Sequence, residues 1–451
     1  MAAGNGTGFD LGGAVGYCGV PVENVTNNGK VTIESKGAFV RAGGVIGKAG
    51  NAASNLTNNG EVTFKGIRTS GTKQIGSELH FGGVVGSYSV SLTDSKNARN
   101  MTVTIESSDN GHAQALIGGV VGGKSSGILD KVYNEAAVTV NQNAEKSVVF
   151  GGVASWITGS VKITEAKNTG EISFNTVQMT GQLWCGGIAG YMDGDATMSG
   201  CTNDGPVSVV AQTSLTGQSF FGGVLGARGD KNVTFNECVN KKTLTVEIPS
   251  SGTNDGFYYF GGVVGANKGH TYSNCANYGD IIYEGAAKIR IGGIASYTNT
   301  VATGVVRCNI TAKCTGYDYS EIGGVISYTS GSEVTGATFE GTIDTSNSTK
   351  KVYTGGIIGK MAGEGQKYNG CMFKGSLIGA EGNNVPGLYA GGLQNNAKTN
   401  VFGNTTKCVV AKGSSINGVE VTTLTKENLV SQASNDGTYT SSATLTNIVI
   451  E

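Results

Sequence analysis

The sequence predicts an all-β fold: a β-solenoid (β-helix) of about twelve coils of ~31–39 residues, closed by a distinct C-terminal cap. Three observations predict it. A glycine pair followed by small aliphatic residues recurs along the chain. A second segment, alternating apolar and polar residues, recurs with it. No stretch of any length carries the apolar spacing of an amphipathic helix. Composition agrees, because 75 glycines and only 4 prolines among 451 residues, with abundant Val, Ile and Thr, suit ordered strands better than a disordered linker.

The glycine pairs come first. They start at Gly12, Gly43, Gly82, Gly118, Gly151, Gly186, Gly222, Gly261, Gly292, Gly323, Gly355 and Gly391. Self-similarity at a period of about 20–50 residues is the mark of stacked repeats. The residue before each pair is mostly apolar (Leu11, Phe81, Ile117, Phe150, Phe221, Phe260) and reads as a core column. The residue before that one mixes charge with rings: Arg41, His80, Trp184, Phe220, Tyr259, Arg290, Glu321, Tyr353 and Tyr389. It is expected to face solvent. The glycines either let the backbone bend or let it pack closely on another layer; both readings stay open.

The alternating half follows each pair. Examples are VTNNGKVTI (25–33), LTNNGEVTF (56–64), AKNTGEISF (166–174), CTNDGPVSV (201–209) and CANYGDIIY (275–283). Alternate residues of a strand share a face. Stacking one coil on the next, about 4.8 Å away, would align Asn27, Asn58, Asn97, Asn134, Asn168, Asn203, Asn240 and Asn277. Stacked amides can donate and accept along such a column, so each buried polar group finds a partner. The column is expected to turn apolar at Ile310, Phe339 and Phe373. A turn at Asn-x-Gly, with the glycine at positive φ, is the alternative. Two residues earlier runs a column of small residues: Val25, Leu56, Ser95, Val132, Ala166, then Cys201, Cys238, Cys275, Cys308 and Cys371, with Ala337 intervening. Exchange of Cys with Val, Leu and Ala reads as packed free thiols; disulfides between coils are the alternative. The repeats occupy residues 1–397. Residues 398–451, with a short helix expected at KENLVSQA (426–433), form the capping segment.

Charge and motifs exclude several classes. Lys and Arg total 32 against 33 Asp and Glu, so no global field recruits nucleic acid. No apolar run is long enough for a membrane-spanning helix. No CxxC occurs and the three histidines are far apart, so zinc and haem signatures are absent. The first ten residues lack the regions of a signal peptide, so an exported chain would have lost its leader.

GGVVG (261–265), CANYGDI (275–281) and their copies resemble the GLUG-motif glycine-rich repeat surface proteins of Bacteroidetes. The tail KCVVAKGSSINGVEVTTLTKENL (407–429) resembles the closing segment of such proteins. The resemblance covers roughly residues 11–430. It implies an extracellular or outer-surface location and an adhesin-like or glycan-binding role. It brings no catalytic residues. After residue 300 the Asn-x-Gly element becomes Phe-x-Gly, a departure from the family's usual copies.

Three candidate sites remain. Trp184, Phe220 and Tyr259, with Tyr353 and Tyr389 later, form an aromatic stripe that would stack sugar rings or a protein partner; alternatively, these rings pack under loops. Asp193, Asp195 and Asp230 follow two anchors at similar offsets and would bind calcium or act as the carboxylates of a hydrolase; alternatively, they are solvated turns. No other cofactor is expected. SSDNGHAQ (107–114) and PSSGTNDGFYY (249–259) are the loops expected to protrude. The leading expectation is a non-enzymatic surface protein that binds a glycan or a surface partner. A polysaccharide hydrolase or lyase on a β-helix, and a structural spacer or assembly subunit, are the alternatives.

Overall fold

A computed structural model shows the chain as a β-solenoid of stacked parallel coils with almost no helix. It describes residues 8–451 except 37–38, 69–77, 108–113, 144–146, 178, 180, 213–214, 216–217, 229–232, 249–255, 266–270, 299–302, 318, 332, 363–364, 381–385, 393–398, 404, 432–441 and 446. The chain divides into two compact units. One comprises Met1–Lys231 and Gly252–Asn254; the other comprises Asn232–Ser251 and Asp255–Glu451.

In the first unit most coils have five short strands. The second coil is representative: a glycine strand Val40–Gly43, a return strand Ile46–Ala49, then Ala53–Ser54, Thr57–Asn58 and the long strand Val62–Arg68. Each pairs in parallel with its equivalent one coil on: Val40 with Leu79, Ile46 with Val85, Ala53 with Leu92, Thr57 with Lys96 and Val62 with Met101. Period two sets the core, with Val62 and Phe64 buried while Thr63 and Lys65, which alternate with them, are partly exposed.

The glycine pair both bends the chain and lets backbones touch. A Cβ on Gly43 would lie 2.1 Å from the carbonyl of Ile46 across the bend, and 2.8 Å from the amide of Gly86 in the next coil. A Cβ on Gly44 would lie 2.1 Å from the carbonyl of Gly83 and 2.8 Å from Asn58 Cγ. The first glycine therefore makes room for the return strand. The second makes room for the asparagine below it.

That asparagine belongs to a continuous amide ladder. The Nδ2 of Asn27, Asn58, Asn97, Asn134 and Asn168 donates to the Oδ1 of Asn58, Asn97, Asn134, Asn168 and Asn203 at 2.7–3.0 Å. The second Nδ2 hydrogen goes to the carbonyl two residues on, as from Asn58 to Gly60 and from Asn168 to Gly170, both at 2.8 Å. Asn-x-Gly is thus a local turn and a rung at once. A second device recurs three residues before each rung. Asn24, Asn55, Asp94, Lys131 and Glu165 have φ between 48° and 59°, and Gly200 takes the same corner at 64°. One left-handed residue per coil turns the chain inward toward the small column of Leu56, Ser95, Val132, Ala166 and Cys201, all buried.

The second unit repeats this plan with altered registers. Asn240 donates to Asn277 at 2.7 Å, and Asn277 reaches Cys308 Sγ at 3.2 Å. Cys308 was expected in the small column, but Cys275 is in register with Gly304, and Gly304 with Ala337. The rung after Asn277 is Val306, followed by Phe339 and Phe373. Ile310 pairs instead with Ile281 in the long strand, so its place in the asparagine column is corrected. Cys308 occupies the glycine position of Asn-x-Gly and meets the last amide there. All nine cysteines are free; eight are buried and Cys18 is partly exposed.

The last anchor also moves. Gly355 bridges to Gly387 and Ile358 to Ala390, so the coil begins at Gly387 rather than at Gly391. Beyond it, Thr399–Phe402 and Cys408–Val410 pair in parallel with the preceding coil, and Ser442–Thr444 and Ile448–Ile450 pair with them in turn. The segment expected as a cap therefore continues the coils. It adds the antiparallel pair Ser415–Ile416 and Val419–Glu420 and a one-turn helix, Lys426–Leu429, capped by Thr425 and Asn428.

Candidate functional site

The glycine strands turn one face into the core. On the other face lie the residues two and four before each pair. The return strand adds a third set, the residue five after the first glycine. Because the glycines let the two strands approach, that residue folds over the residue two before the pair in the preceding coil. A Cβ on Gly123 would come within 2.0 Å of His80 Nδ1, and one on Gly392 within 2.3 Å of the Tyr353 ring. The column expected to face solvent is consequently covered. Phe220, Tyr259 and Tyr353 are buried, and Trp184 alone of the expected stripe is half-exposed. Tyr389 leaves the column altogether. It sits two residues after Gly387, fully buried, and its hydroxyl proton is shared between the carbonyls of Cys371 and Val409, 2.8 and 2.9 Å away.

The covering residues carry the chemistry. They are legible as a pattern not read from the sequence: GGAVGY (12–17), GGVIGK (43–48), GGVASW (151–156), GGIAGY (186–191), GGIASY (292–297), GGVISY (323–328) and GGIIGK (355–360) each end on a ring or a lysine. In the first unit, half-exposed Trp156 lies 4.4 Å from Tyr191, which meets Trp184 edge-on at 6.0 Å. Lys124 stands 4.8 Å above the Trp156 ring and 2.7 Å from the Glu78 carboxylate. Glu78 also bonds His80 Nε2 at 2.9 Å. Burial works against the Glu78 charge, but the hydrogen bonds from His80 and Lys124 prevail and hold its carboxyl at about 2. Burial holds His80 below its usual range, and its Nδ1 has no hydrogen-bond partner among the described residues.

In the second unit the outer face is an alternation of rings and cations. Two columns run down the glycine strands: Phe257, Lys288, Tyr319, Lys351 beside Tyr259, Arg290, Glu321, Tyr353. The return strands add Tyr297, Tyr328 and Lys360. The fully buried Glu321 carboxylate takes Arg290 Nε at 2.6 Å and lies 3.5 Å from Lys360 Nζ. The Arg290 guanidinium is 4.0 Å from the centroids of both Phe257 and Tyr328. Lys360 lies over Tyr319 and Tyr353 at 4.6 and 4.9 Å. Burial pushes the Tyr328 hydroxyl up to about 12, so it stays neutral. Burial and the nearby Lys360 hold Lys351 below its usual range. Lys288, Tyr297, Tyr319 and Lys351 are half-exposed and form the accessible part of the face.

Asp193 and Asp195 are exposed on either side of Gly194, whose φ is 122°, and Asp230 lies outside the described residues. No group of three acidic, His or Cys residues that could hold a metal ion occurs among the described residues. Most of the two expected loops, 108–113 and 249–255, also lies outside them. No helix among the described residues is long and apolar enough to cross a membrane. No family model, no curated protein and no solved structure matches this chain.

Proposed function

We propose that this chain is an exported, non-enzymatic β-solenoid that binds a glycan at the cell surface through the outer faces of its glycine and return strands. One observation carries the reading: a ring stands five residues after the first glycine in five of the repeats, at Tyr17, Trp156, Tyr191, Tyr297 and Tyr328, and Trp156, Tyr191 and Tyr297, with Tyr319 on a glycine strand, remain half-exposed. Ring faces held by a rigid sheet match the apolar faces of pyranoses and lose little entropy on binding. The burial of Phe220, Tyr259 and Tyr353 favours a second reading, a structural spacer, because buried rings stabilise coils whether or not anything binds.

The test separates the two. The full chain is screened against immobilised polysaccharides, and the hits are remeasured with a Trp156→Ala, Tyr191→Ala variant and a Tyr297→Ala, Tyr319→Ala variant of unchanged circular dichroism. Binding that falls by about tenfold or more, some 1.4 kcal/mol, in either variant supports the reading. Absence of any hit, or unchanged affinity in both variants, replaces it with the spacer.

A further inference from the structure

The charges on the second unit's outer face do not balance. Glu321 is one carboxylate shared by two cations, Arg290 and Lys360. Lys288 is a third cation on the same face, and among the described residues no carboxylate lies within ion-pair distance of it. Its ammonium sits instead between two rings, 4.4 Å from the centroid of Phe257 and 4.0 Å from that of Tyr319. The ring quadrupoles offset part of the hydration that Lys288 has lost, but they do not neutralise its charge. A half-buried cation with low-dielectric neighbours projects a stronger field than one in water. In the first unit Lys124 has Glu78 and Arg41 has Asp10, while Lys48 stands over a single ring, 5.6 Å from the centroid of Tyr17.

Geometry places apolar ring faces beside this unbalanced charge. Tyr319 borders Lys288 directly. Tyr297 stacks on Tyr328 with centroids 5.1 Å apart, and its hydroxyl is 3.1 Å from Ser330 Oγ. Tyr328 is in turn one of the two rings nearest the Arg290 guanidinium, the other being Phe257. An ammonium flanked by ring faces and hydroxyls suits a ligand with an anionic group on an otherwise apolar-faced, hydroxyl-rich ring.

We propose that this face binds an acidic polysaccharide, with Lys288 taking the carboxylate or sulfate and Tyr297 and Tyr319 supporting the sugar rings. The inference rests on the glycan-binding reading above and narrows it to a charge class. A glycan is favoured over an acidic peptide because the rings extend across successive coils, as the repeating rings of a polysaccharide do.

The full chain is titrated with polygalacturonate, chondroitin sulfate, neutral dextran and poly-L-glutamate at low and high salt. Lys288→Gln and Lys288→Arg variants are compared with the parent after their circular dichroism is matched. The expected result is tighter binding of an acidic polysaccharide than of dextran. Affinity should fall with salt, drop by about tenfold or more in Lys288→Gln, and largely return in Lys288→Arg. Dextran binding as tightly as the acidic chains, or Lys288→Gln without effect, overturns this inference and leaves the glycan reading standing. Poly-L-glutamate binding at least as tightly as either acidic polysaccharide overturns it in favour of an acidic peptide. Failure of all four probes overturns it and counts against the broader reading as well.

Discussion

Both amide hydrogens of Asn134 and its amide oxygen are hydrogen-bonded. The side chain accepts from Asn97 at 3.0 Å, donates to Asn168 at 2.7 Å and donates to the carbonyl of Ala136 at 2.8 Å. Leucine at this position would fill similar space but leave an amide donor on Asn97 and an acceptor on Asn168 in a dry interior. Asn134→Leu should destabilise the first unit by about 1–3 kcal/mol for each neighbour left unpaired, read as a lower midpoint in urea. Glu78 gives a second expectation at this scale. Its carboxyl sits at about 2 in the fold against an ordinary 4.5, so the unfolded chain binds the proton more readily. The stability it contributes is complete above about pH 4.5 and is lost as pH falls toward about 2. A Glu78→Gln variant should unfold at lower denaturant at neutral pH and show a flatter loss of stability across that acid range. An acid limb as steep as the parent's would show that other carboxylates set it.

At the scale of the element, the glycine strand works because two backbones and an amide share one small volume. A Cβ on Gly119 would lie 2.1 Å from the carbonyl of Gly152 and 2.7 Å from Asn134 Cγ. Neither can move without breaking a sheet or a rung. Gly119→Ala should therefore cost at least the 1–3 kcal/mol typical of overpacking, about the upper end or beyond, and a thermal midpoint equal to the parent's would contradict the close approach. This coupling also explains what could be read beforehand. Gly-Gly and Asn-x-Gly were visible because each constraint admits few residue types. Register was lost where the constraint relaxes. At Val306 and Val410 the rung is aliphatic, so no Asn marks it, and Leu388 stands where a second glycine would be. The Gly391 pair, displaced into the return strand, then looked like the anchor. The left-handed corners at Lys131 and Glu165 were hidden because those residues are ordinary in sequence and unusual only in φ. The outer face was half legible: Tyr259 and Tyr353 were on the right strands, but alternation alone does not reveal that Tyr297, Tyr328 and Lys360 fold back over that side.

Within the first unit each coil touches mainly the coils before and after it, and stability is then a sum of coil and nearest-neighbour terms. Equivalent positions should consequently be interchangeable joints. Gly151 and Gly186 are register partners, so removing residues 152–186 and joining Gly151 to Gly187 deletes one whole coil. The ladder can close, since Asn134 would meet Asn203 in place of Asn168. The long strand Val138–Asn143 would meet Val207–Ala211, which keeps the inward alternation that Ile172–Thr176 has now. On the outer face Tyr191 would take the place of Trp156, one ring for another. The shortened chain should remain folded, with the far-ultraviolet β-signature of the parent and a modestly lower unfolding midpoint. A deletion joining Gly151 to Gly170 instead would set a rung turn where a return strand belongs and misplace the next inward faces. It should yield an unfolded or aggregated product. If both deletions fold equally well, or if the in-register one fails as completely as the other, coil equivalence is not what holds this unit together.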